Sequence, residues 1–164
     1  MALVLNTNSY VTIAEADSYF ETRIDSAEWT SSSDEVKEQA LVTATQLIDD
    51  RPWIGFAVSS SQALAWPRKE AMYYDSRMGQ NITIATNEVP SKVKTAVYEQ
   101  ALHLINNEDL LTQTTQVFEN ISIGNISISD SNNDVTKISI SPALITRPLK
   151  DLVKQGANNW WRAN

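Results

Sequence analysis

Two stretches of this chain repeat apolar residues at the spacing of one helix face, and they commit it to a helical core. Val36, Ala40, Ala44, Leu47 and Ile48 form the first stripe, and Val93, Ala96, Val97, Ala101 and Leu104 form the second. Ser33 or Asp34 can cap the first helix, and Asp34, Glu35 and Glu38 suit the positive end of its dipole. Pro52 stops it, because the residue before a proline is pushed out of the helical region. Pro90 opens the second, which runs to about Asn107.

Two weaker helices flank this pair. Thr12 and Glu15 have the spacing of a capping box, with Ile13, Ala16, Phe20 and Ile24 on one face, so a helix is predicted over residues 13–24. A last short helix is predicted from Pro142 through Leu144, Ile145, Leu149, Leu152 and Val153, broken or kinked at Pro148 and ending near Gly156.

The segments between them read differently. Trp29 to Ser33 is a polar stretch, and residues 53–75 form an irregular loop rich in aromatic rings. Asn81-Ile82-Thr83-Ile84-Ala85 alternates like a short extended arm. Residues 117–129 and 137–140 alternate with period two around the turn-rich Asp130-Ser131-Asn132-Asn133-Asp134. A lone two-stranded hairpin is marginal in water, so an isoleucine face built from Ile121, Ile123, Ile126 and Ile128 is expected to pack on helices or on another subunit.

The fold expected is mainly α, a small bundle of about four helices with an extended β-hairpin or arm near residues 116–141 and a C-terminal tail. Residues 1–115 would form the bundle, 116–141 the arm, and 142–164 the final helix and tail, all within one structural domain. With 42% hydrophobic residues and five tryptophans, 164 residues can bury a sizeable core.

The residue inventory excludes much chemistry. There is no cysteine and one histidine, which removes thiolate metal sites and the common triads. His103 lies beside the second stripe, where a hydrogen-bonded, partly buried imidazole is the ordinary reading. Asp34-Glu35 and Asp49-Asp50 could pair as acid and base, but both sit at helix ends, where solvated acids are common. No phosphate-cradling glycine motif is present. Neither an enzyme nor a cofactor or metal site is expected.

Net charge is -7, distributed as -8 over residues 1–50, +2 over 51–100 and -1 over the remainder. Nonspecific nucleic-acid binders usually show the opposite sign, because Lys and Arg must neutralise phosphates. The opening Met1 to Leu5 lacks the basic flank and apolar length of a signal peptide, and no membrane-spanning run occurs, so cytoplasmic production is expected.

Two local features stand out. Trp66-Pro67-Arg68, followed by Lys69, is either a rigid structural corner or a platform that stacks a base while the cations take phosphates. Trp160-Trp161-Arg162, close to the last residue, has the composition of an interface anchor, or else folds back on its own domain.

In order along the chain, Ser9-Tyr10-Val11-Thr12-Ile13-Ala14-Glu15-Ala16-Asp17-Ser18-Tyr19-Phe20, the helix from Gln39 to Asp49, Trp53-Ile54-Gly55-Phe56, the run from Gln62 to Arg68 and the run from Pro90 to Val97 resemble tailed-phage head–tail connector adaptors. The resemblance covers residues 9–107. Members of that head-completion family are often labelled DnaT-like single-stranded-DNA-binding proteins. The resemblance implies a virion protein of the phage neck, assembled in the bacterial host cytoplasm. It would form a ring with itself, usually of twelve copies, between the portal protein and the tail or neck proteins. DNA would pass through its channel without specific binding, and no membrane would be involved. By position, Trp160, Trp161 and Arg162 would dock into the portal. The label implies the alternative, a single-stranded-DNA binder in which Trp66, Arg68, Lys69, Tyr73 and Tyr74 form an exposed groove.

Overall fold

The computed structural model describes residues 2–106, 120–123, 126–129 and 144–154. Helix α1 (Ile13–Phe20) starts on the capping box: the Thr12 hydroxyl accepts from the Glu15 amide, and the Glu15 carboxylate accepts from the Thr12 amide at 2.8 Å. The helix ends at Phe20, shorter than the apolar spacing suggested. Ile24 lies beyond it, fully exposed.

The stretch expected to be polar and irregular contains helix α2 (Ala27–Ser31), which carries Trp29 into the core. The Trp29 ring packs on Phe20 at 4.7 Å between centroids, and its indole N–H donates to Asp17 at 2.8 Å. Burial of the ring and satisfaction of its only donor together outweigh the polar neighbours.

Helix α3 (Asp34–Asp49) is capped by Ser33, and α4 (Ser91–Asn106) follows Pro90. These two make the most extensive helix–helix contact among the described residues. Ala40, Leu41, Ala44 and Ile48 of α3 meet the core that Val93, Ala96, Val97, Ala101 and Leu104 of α4 enter. Burying each leucine- or isoleucine-sized side chain contributes roughly 1.5–3 kcal/mol. Val36, on the expected stripe, is left 42% exposed at the first turn.

Residues 53–84 correct the expectation of a mainly α bundle. Strands β1 (Phe56–Ala57) and β2 (Arg68–Lys69) pair antiparallel, with Phe56 opposite Lys69. Strands β3 (Met72–Asp75) and β4 (Gln80–Thr83) pair from Met72–Thr83 to Asp75–Gln80. The arm expected at residues 81–85 is thus largely one side of a hairpin. Its turn places Gly79 at φ +67°, and the Gly79 amide donates to the Asp75 carbonyl at 2.8 Å. Gly55, at φ +69°, is required by crowding as well: a Cβ there would lie 2.5 Å from the Lys69 carbonyl oxygen.

Strands β5 (Asn120–Ile123) and β6 (Ile126–Ser129) also pair antiparallel, with Ile121 opposite Ile128 and Ile123 opposite Ile126. The alternation had assigned this whole run to one strand, with the turn at residues 130–134. The register instead sets residues 120–123 against residues 126–129 within that run. The described chain is therefore mixed α/β, five helices with three two-stranded antiparallel pairs. Strands of two to four residues carry few alternations, so the period-two pattern marked β4, β5 and β6 but not β1, β2 and β3.

Helix α5 (Thr146–Leu149) contains Pro148 without being broken by it. The proline occupies the first turn, where an amide has no helical acceptor in any case. Ile145, Leu149 and Leu152 are buried, and the segment returns to the end of α3: the Ile54 amide donates to the Leu152 carbonyl at 2.9 Å, and Trp53 bridges Val153.

Candidate functional site

Trp66 sits in the core, 1% exposed, behind a cis peptide bond to Pro67, with its ring edge-on to Trp53 at 5.7 Å. Its amide donates to the Tyr10 hydroxyl at 3.1 Å, and that hydroxyl donates to the Asp49 carboxylate. The same carboxylate oxygen accepts from the Ala65 amide at 2.8 Å. Burial, reinforced by Asp49, pushes the Tyr10 phenol far above its ordinary range.

The Arg68 guanidinium is turned onto backbone. It donates to the carbonyls of Ile54 at 2.7 Å, Gly55 at 2.8 Å and Ala65 at 3.1 Å, which ties β2 to the turn before β1. Desolvation lowers its pKa. Tyr73 is half-buried with the Lys92 ammonium 4.1 Å above its ring, whereas Lys69 and Tyr74 are exposed. The five residues that a base-stacking groove would need therefore do not share one surface.

The acidic candidates also separate. Asp49 is engaged with Tyr10 and Ala65, while Asp50 is exposed. Asp34 and Glu35 are exposed at the start of α3. Glu99 of α4, which sequence reasoning passed over, is buried beneath Arg23 and Tyr19, both of which donate to its carboxylate. Burial and Glu99 push the Tyr19 phenol up to about 12. His103 is half-buried on α4, and burial lowers its pKa. Among the described residues no group of three or more His, Cys, Asp or Glu could hold a metal ion, and no helix is long and apolar enough to cross a membrane.

A groove of about 280 Å³ lies where α5 meets the end of α3, lined by Arg51, Thr146, Leu149, Val153 and the cations Lys150 and Lys154. The spacing of Lys150 and Lys154 is the signal for it in the sequence, but Arg51 joins them only through the fold. Of the other residues singled out, Ile121, Ile123, Ile126 and Ile128 occupy paired positions of β5 and β6, and Trp160, Trp161 and Arg162 lie outside the described residues.

Residues 2–164 match the model of the family described as "Putative DnaT-like ssDNA binding protein", and the chain belongs to that family. No curated protein and no solved structure matches it.

Proposed function

We propose that this chain is a structural subunit without catalytic activity, an adaptor of the phage neck. It would form a ring between the portal and the tail proteins and continue the DNA channel. The observation that carries this reading is the inward use of the Trp66–Arg68 corner, which withdraws Trp66 and the Arg68 guanidinium from any base-stacking surface. The net charge of -8 over residues 1–50 suits a wall past which DNA must slide, because attraction would slow it. The ordered resemblance of residues 9–107 to head–tail connector adaptors supplies the identity of the partners. Trp160, Trp161 and Arg162 are assigned to portal docking, and the isoleucines of β5 and β6 to contact between subunits.

The description of the family favours a second reading, binding of single-stranded DNA. Lys69 and Tyr74 would then be contacts, since both are exposed.

One pair of measurements separates the two. Co-expression with a portal protein should give co-purification, and truncation after Asn159 should abolish it while circular dichroism stays unchanged. Binding to a labelled single-stranded oligonucleotide at physiological salt, falling steeply between 50 and 200 mM, would instead establish the DNA-binding reading, because that slope counts phosphates neutralised. Retained portal binding after truncation would remove the tail from the adaptor reading.

A further inference from the structure

Cations gather in the groove at the end of α3 without compensation. Arg51, Lys150 and Lys154 line it, no acid does, and none of the three has an ion-pair partner among the described residues. The nearby Asp151 is held by Lys92 at 3.1 Å. The Arg51 Nε is buried with no hydrogen-bond partner among the described residues. The walls are apolar: Leu149 and Val153 line the groove, and the exposed Phe56 ring lies 6.0 Å from the Lys154 ammonium.

The complementary chemistry lies at the other end of the same helix. Asp34 and Glu35 open α3, Glu28 lies on the adjoining α2, and all three are exposed without an ion-pair partner among the described residues. Val36, 42% exposed, adds an apolar contact beside them. Since α3 has 16 residues, about 24 Å separates this acidic edge from the cationic groove.

We propose that the groove formed by Arg51, Lys150 and Lys154 takes the acidic edge Glu28, Asp34, Glu35 and Val36 of a second copy of this chain. Carboxylates would meet the unneutralised cations, and Val36 would meet the apolar wall. The two faces differ and lie at opposite ends of one helix. The contact is therefore head-to-tail, and each added copy leaves a fresh groove and a fresh edge. This deepens the adaptor reading and rests on it for the place of the ring in the virion; the pairing itself is tested without a portal.

Sedimentation of the full chain at high concentration, in 50 and 500 mM salt, should show salt-sensitive self-association. Lys150→Glu with Lys154→Glu, or Asp34→Lys with Glu35→Lys, should each weaken it at least about tenfold, since each sets like charges against each other. An equimolar mixture of the two variants should restore association, as should one chain carrying all four changes. Circular dichroism checks folding, and Lys150→Gln with Lys154→Gln gives a milder variant if a reversal unfolds. A strictly monomeric chain at millimolar concentration in low salt overturns the proposal, as does failure of the mixture to reassociate. So does a groove reversal that abolishes oligonucleotide binding while self-association persists. Any such failure with portal co-purification intact discards these faces and leaves the adaptor reading standing; normal reassociation without portal binding does the reverse.

Discussion

The Tyr10 hydroxyl joins two segments that sequence keeps far apart: it donates to Asp49 at the end of α3 and accepts from the amide of Trp66. One phenolic oxygen thus satisfies a carboxylate and a buried backbone donor together. Tyr10→Phe keeps the ring, leaves the buried Trp66 amide without its acceptor and takes from Asp49 one of its two donors. The expected loss is about 1–3 kcal/mol, the desolvation cost of polar groups left unpaired. Urea unfolding should show a lower midpoint with an unchanged slope.

Glu99 and Arg23 make a second test, with a different ledger. The Glu99 side chain is only 5% exposed, and Arg23 is 22% exposed. Arg23→Met should destabilise by about 2 kcal/mol, less than for a fully buried pair because water still screens the guanidinium. Replacing both, Arg23→Met with Glu99→Gln, should recover part of that loss, since the uncompensated buried charge is gone. A double variant less stable than the single one would contradict this account.

Gln100 is fully buried on α4, and neither its amide oxygen nor its nitrogen has a hydrogen-bond partner among the described residues. Gln100→Met is close in volume and removes both polar atoms. It should raise stability by about 1 kcal/mol, seen as a melting temperature roughly 2–4 °C higher. A fall instead would reveal a partner for the amide outside the described residues.

Acid should weaken the fold in two limbs. Burial lowers the pKa of His103, so the unfolded chain takes up a proton near pH 6.5 before the folded one does, and stability falls as pH drops below about 6.5. His103→Gln should remove that limb. The second belongs to Glu15 and Asp17. Burial raises both carboxyls, but Lys94 and Thr12 on Glu15, and Trp29 and Lys37 on Asp17, outweigh it and hold them below the usual range. Their contribution is complete above the unfolded values of about 4 and is lost as pH falls through the folded ones. Thermal melts from pH 7 to 3 on both chains check the assignment.

The helices were legible where many residues voted together. Thr12 with Glu15 named the start of α1, and the stripes of α3 and α4 named the faces that meet. A stripe tells which face is apolar but not how far the partner extends along it, which is why Val36 ends in solvent. The strand pairs of residues 53–84 were not legible, because they depend on close approach at Gly55 and a left-handed turn at Gly79 rather than on any run of side chains. The corner itself was open to two readings: Trp66, Pro67 and Arg68 look alike in sequence whether they face water or the core. What decides their geometry is the neighbouring Ala65 carbonyl together with Tyr10, Asp49 and the carbonyls of Ile54 and Gly55, all of which lie more than ten positions away in sequence. The cationic groove was hidden for the same reason, since Arg51 lies nearly a hundred positions from Lys150.

The return of residues 145–154 to Trp53 has a consequence for how the protein is made. Val153 follows Trp53 by 100 positions. At roughly 5–20 residues per second of translation, about 5–20 s pass between the emergence of the tryptophan and that of its cover. In the first half of that interval α3 waits for α4, and in the second the α3–α4 pair waits for residues 145–154. Completion of the core is thereby timed by the ribosome, because the cover over Trp53 is in place only once residues 145–154 have been synthesised.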